Sequence, residues 1–250
     1  MVARARALDS LVGGRVQVEA VAIDGPLTRG LRRVPHYRAA EALLSRGVFQ
    51  LRGKPGQTSS PTGQQLHHHA TLLAELVLER AQAGLFSISP ASHIEAIHTA
   101  AIVEAFPNQF LAVLIQELNL PRLHRDASDR YWEVLAAGNE LRNLLTHLLP
   151  SRTLVTTFEQ ISDHDQRAAV VCALTGLSVV AGGAVGVGDP ADGDIFLPPA
   201  ALWGRSQSRS QSWAETALRE NVAVLRAGRS SPVPAYRQAR VTFHERYWIH

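Results

Sequence analysis

Two short apolar runs, each closed by an acid and a proline, stand out among stretches whose apolar residues recur every three to four positions. The first lies within Val18 to Leu27. Val21, Ala22 and Ile23 are too short a run for a helix of their own and suit a strand buried on both faces. Gly25 and Pro26 end the ladder, since proline has no N–H to donate and glycine weakens pairing. Asp24 is therefore expected at the strand's carboxyl end, the edge where open α/β sheets bind ligands. Asp before Gly-Pro is also ordinary turn chemistry, so capping and function both remain open for it. The second run, Thr99 to Phe106, repeats the plan with Ala100-Ala101-Ile102-Val103, then Glu104, then a Pro107 suited to opening a helix.

Helical spacing fills much of the rest. Ala3 to Val12 reads as a short helix stopped by Gly13-Gly14. Tyr37 to Arg46 places Ala40, Leu43 and Leu44 on one face and stops at Gly47. Gly63 to Ala83 is the longest pattern, carried by Leu66, Leu72, Leu73, Leu76 and Val77. Pro107 to about Leu118 buries Phe110, Leu111 and Leu114, and Asp126 to His147 predicts a helix, or a pair broken near Gly138. Ser151 to Glu159 fits strand and helix equally. Ser162 is a plausible cap for a helix through Ala168, Ala169, Cys172, Ala173 and Gly176, small residues that permit close packing on a sheet. Ala184 to Gly188 and Ile195 to Pro198 read as a hairpin around Asp189 to Asp194, whose acids could bind a cation but are explained more simply by a Pro/Asp/Gly turn.

The roughly 75 residues between the two strands suffice for a crossover that sets them parallel, bringing Asp24 and Glu104 to one edge. The fold class is α/β. An acid near a strand end is often the ion-pair partner of an arginine, but two at equivalent ends are harder to dismiss.

Composition narrows the setting. A chain of 250 residues with 46% apolar content is globular, large enough for one good core with an appendage. Cys172 is the sole cysteine, which excludes an internal disulfide and fits a reducing cytoplasm. The longest apolar runs, such as Val179 to Val187, are too short to span a bilayer, and Met1 to Arg15 lacks the core of a signal peptide. A net charge of +3 permits a polyanion partner without requiring one. Arg33, Arg52 and Lys54 lie in basic loops, the second of them a mobile Gln50 to Gly63 segment. They are either solvated charge or a phosphate-contacting rim. His67-His68-His69 point about 100° apart on a helix and cannot converge on one metal. After Trp203 the composition turns to Ser and Arg. Basic residues interleaved with Tyr247 and Trp248 suit single-stranded nucleic acid, or a tail docked on its own domain or on a second copy as a homo-oligomer.

Four motifs together resemble the domain-of-unknown-function 429 family, described as predicted nucleases with a ribonuclease H-like fold. They are Ala22-Ile23-Asp24-Gly25-Pro26-Leu27, Val103-Glu104-Ala105-Phe106-Pro107, His164-Asp165 leading into Ala169 to Thr175, and Gly186 to Asp189 with Asp192 to Pro198. The resemblance covers about Val18 to Trp203. It implies a ribonuclease H-like mixed sheet flanked by helices over residues 1–204, with a basic extension over 205–250. It further implies metal-assisted phosphodiester cleavage with Mg²⁺ or Mn²⁺, whose hard-oxygen preference calls for clustered carboxylates. Carried over by motif, Asp24 and Asp165 would be metal ligands, Glu104 a further ligand or an acid just behind the ligands, His164 would orient water, and Arg167 would hold phosphate. The chain departs from the family pattern at its start, where an early Asp-bearing strand is expected: either the start codon is called too late, or the first hairpin and a central ligand are lost. It departs again at Ala168, where a further acid is expected.

Overall fold

β1 forms at Ala20–Asp24 and runs parallel to β3 at Ala101–Ala105, as the crossover length predicts. In the computed structural model, residues 18–34, 36–82, 89–90, 100–120, 127–152, 154–205, 211–227 and 238–243 are described. A short β2, Ser89–Pro90, pairs with the start of β3 and β5, Gly193–Leu197, with its end, both parallel. β4, Val185–Asp189, and β5 are the antiparallel hairpin expected around Asp189 to Asp194. β6, Arg240–Phe243, adds to β4 in antiparallel fashion, so the sheet is mixed with order β1-β3-β5-β4-β6. Arg240–Phe243 thus docks on the chain's own sheet, while Tyr247 and Trp248 lie outside the described residues. The helix expected at Ala3 to Val12 lies outside the described residues, as does everything before Val18.

The helices follow in order: α1 Ala39–Leu43, α2 Pro61–Gln82, α3 Pro107–Ala112, α4 Ala127–Ala137, α5 Glu140–Leu148, α6 His164–Val180 and α7 Trp213–Arg226. Several are shorter than their apolar spacing suggests. α1 covers only the middle of Tyr37 to Arg46, and α3 stops at Ala112. α4 and α5 are the broken pair, with Asn139 in the left-handed conformation between them. The ambiguous Ser151 to Glu159 segment reaches only a 3-10 turn at Phe158–Gln160. α6 is capped by Asp163, whose carboxylate accepts from the Gln166 N–H at 2.9 Å, so Ser162 lies one residue outside the cap.

Strand alternation divides the sheet into two faces. Ile23, Ile102 and partly buried Val21 pack under α2 with Ala70, Ala74 and Val77, while Val185, Val187, Ile195 and Leu197 belong to the large core that includes α1. On the other face Ala22, Ala101, Val103 and Phe196 meet Val179 of α6. Small residues line the seam between α6 and β1: Gly176 lies over Ala20, where an added Cβ would still meet the Ala20 Cβ at an ordinary 3.5 Å.

Candidate functional site

The carboxyl edge of β1 and β3 opens onto a cavity of about 220 Å³, bordered by Asp24, Gly25, Pro26, Arg38, Glu41 and Glu104 and, opposite, by Thr58, Ser60, Thr62 and Gly63. The second wall is the start of α2. Ser60 caps it, accepting from the Gly63 N–H at 3.1 Å, and Pro61 takes the first helical position, where no N–H is needed. Gly63 tolerates no side chain here, because a Cβ would sit 1.9 Å from the Gln57 carbonyl oxygen.

Asp24 and Glu104 share this edge but not a face. Ile23 is the register partner of Glu104, and Asp24 that of Ala105. Alternation therefore turns Glu104 toward α1 and Asp24 toward α6. Glu104 is buried and gripped from two sides. Its Oε1 accepts from Arg38 Nη2 at 2.7 Å, and its Oε2 accepts from Arg38 Nη1 at 2.8 Å and from the Leu27 N–H at 2.7 Å. Arg38 also donates through Nε to Glu41 Oε1 at 2.7 Å, and Glu41 Oε2 accepts from the Thr58 N–H at 3.1 Å. One guanidinium thus lies between two carboxylates, none more than 4% exposed. Burial pushes the Glu104 carboxyl up, with Arg38 opposing it, and the paired acids hold Arg38 firmly protonated.

Asp24 is exposed at the rim, yet the surrounding protein raises its pKa to about 6, with the charge of nearby His164 pulling the other way. Behind it the Cys172 thiol is pushed up to about 12, first by burial and then by the Asp24 charge. His164 Nδ1 lies 3.0 Å from Asp129 Oδ2, whose other oxygen accepts from Arg167 Nη1 at 3.1 Å. Arg167 is therefore held by Asp129, and its Nε donates to the Ile161 carbonyl at 2.9 Å. Asp165 is exposed in the first turn of α6.

The remaining basic residues do not converge on this cavity. Arg33 donates to Gln64 Oε1 at 2.8 Å and borders a separate depression with His67 and His68. Arg52 stands beside Tyr131, and Lys54 is exposed on the loop before α2. His67 is a buried structural group whose two ring nitrogens meet the Pro26 and Arg32 carbonyls at 2.8 and 3.2 Å. The Gln50 to Gly63 loop is tied down at Thr58 by Glu41.

The Mg²⁺ or Mn²⁺ pair implied by the resemblance does not fit this donor set. Both Glu104 oxygens already accept from Arg38, and among the described residues no group of three or more His, Cys, Asp or Glu could hold a metal ion. Sequence reasoning missed Arg38, Glu41, Thr58 and Asp129. The Arg38–Glu41 spacing of three inside a short helical stretch was the available signal. Comparison of the chain with protein-family models, with curated proteins and with solved structures gave no match. No helix among the described residues is long and apolar enough to cross a membrane.

Proposed function

We propose that this chain is a phosphodiester hydrolase on a ribonuclease H-like variant of the α/β fold, with Asp24 as its proton-transferring group. The observation that carries the reading is a carboxyl with a pKa of about 6 at the mouth of a cavity whose far wall is the N-terminus of a 22-residue helix. Helix N-termini favour anions through the positive end of the helix dipole, here with Thr62 lining the cavity. A substrate phosphate seated at Ser60 to Gly63 would face Asp24 across the cavity. Ionised above pH 6, Asp24 accepts a proton from a water whose oxygen attacks phosphorus. The ester P–O bond then breaks, and the leaving oxygen takes a proton from solvent. The Arg38 cluster keeps the floor of the cavity rigid without entering the chemistry.

Hydrolysis of bis(4-nitrophenyl) phosphate and of single-stranded oligonucleotides, with and without added Mg²⁺ or Mn²⁺, tests this. The rate should rise with pH through about 6 and fall by about 10²-fold or more in Asp24→Asn. Equal rates in the wild type and Asp24→Asn would remove the assignment. A second reading rests on the Arg38–Glu104 pair: a nucleic-acid-binding relative in which a former catalytic acid has become structural. Oligonucleotide binding with no turnover under any of these conditions would favour it.

A further inference from the structure

We infer that the groove between α7 and β6 binds single-stranded nucleic acid, which deepens the phosphodiester reading above by naming its substrate and rests on that reading for the link to catalysis. Glu215, Arg219, Val222 and Arg226 share one face of α7, at helical spacings of four, three and four. Arg240, Val241 and Phe243 of β6 form the other wall of a cavity of about 260 Å³. Arg219 and Arg226 outnumber Glu215, and Arg240, whose charge also acts on Asp189, adds to the wall, so the groove complements a polyanion.

Its parts suit that ligand in different ways. Arg219 is 72% exposed and, among the described residues, held by Glu215 alone, at 2.6 Å; such solvent-exposed pairs are weak, and a phosphate can compete for the guanidinium. Arg226 is fixed across the groove by donating from Nε to the Ala239 carbonyl at 2.9 Å. Phe243 is 42% exposed and stands 6.4 Å from the Trp203 ring, a supported apolar plate on which a base can stack. An acidic peptide would use the arginines but has no need of that plate.

The groove reaches the same rim of the sheet as Asp24, from the opposite face. Phe243 is the register partner of Val185, and Val185 that of Leu197 at the carboxyl end of β5. Since β5 is parallel to β3, and β3 to β1, Phe243 and Asp24 stand at the same rim of the sheet, but Asp24 is level with Thr242, so the two side chains leave opposite faces. Four strand spacings separate them, about 19 Å along the rim. A strand of the roughly 4–16 nucleotides that comparable basic grooves hold covers that span and can pass over the rim from one face to the other. From Trp213 onward arginines outnumber acids in the sequence, which adds long-range attraction of the same sign.

Fluorescence anisotropy of the full chain with a labelled oligo-dT of about 12 nucleotides tests the inference. Arg219→Glu and Phe243→Ala should each weaken binding by about tenfold, and the arginine change should flatten the salt dependence by about 0.7 in log–log slope. Hydrolysis of bis(4-nitrophenyl) phosphate and the thermal midpoint should stay as in the wild type. Unchanged oligonucleotide affinity in both variants would overturn the groove, as would equal affinity for a duplex of the same length. Displacement of the oligonucleotide by poly-glutamate at equal charge would overturn it in favour of an acidic protein partner. If the groove variants lose binding while the small ester is never hydrolysed, the groove stands and the hydrolase reading falls.

Discussion

Asp24 and Glu104 end adjacent parallel strands of similar sequence, yet the fold treats them oppositely. Glu104 is turned inward, meets a guanidinium on both oxygens, and serves as an internal counter-ion. Asp24, one register position further on, is turned outward to the rim beside His164 and is kept partly protonated near neutral pH. One residue of strand register separates a buried structural acid from an exposed one at the rim. Strand endings alone therefore do not identify a catalytic pair; the face each acid occupies has to be known as well.

The sharpest way to break the comparison is Arg38→Met. It would leave Glu41 and Glu104 buried without their cation and should cost about 3–5 kcal/mol in urea unfolding. Adding Glu104→Leu to it should recover part of that loss, because an apolar pair avoids the stranded charge. If Arg38→Met alone unfolds like the wild type, Glu104 is not held as described. A smaller effect is expected of Asn221→Ala. Asn221 Nδ2 donates to the Leu43 and Arg46 carbonyls at 2.8 and 3.2 Å, closing the end of α1. Its loss should cost about 1–3 kcal/mol by the same measurement, and a cost near zero would uncouple α7 from the Arg38 segment.

The gentlest test concerns Asp24 and pH. Its folded pKa of about 6 lies above the ordinary 3.8, so between those values the folded chain binds more protons than the unfolded one. Stability linked to this group is complete below pH 4 and is lost as pH rises through 6. Asp24→Asn removes that loss. Thermal midpoints of variant and wild type should run parallel in acid and separate in favour of the variant by pH 7. A constant offset across the range would mean that Asp24 titrates as an ordinary surface acid.

Much of this fold was legible in the residues. The two apolar runs ending in Asp24 and Glu104, the hairpin around Asp189 to Asp194 and the helix after Ser162 carry strong local patterns, and each forms close to its expected place. What stayed hidden was non-local. Arg38 finds Glu104 across 66 positions, and nothing in the spacing of either shows the pairing. The register that sends Asp24 and Glu104 to different faces is set by strand pairing, which a single chain's pattern leaves open by one residue. β6 was missed for a related reason. Arg240-Val241-Thr242-Phe243 is a weak strand signal by itself and is held because β4 offers it a partner.

That last strand also governs how the chain tolerates shortening. A stop codon or protease nick soon after Gly204 would strip β6 from the sheet and bare the main chain of β4, a Val-Gly-Val segment buried in the intact molecule. Unpaired backbone of that kind recruits other chains, so the truncated product should accumulate as insoluble aggregate rather than as a smaller working protein.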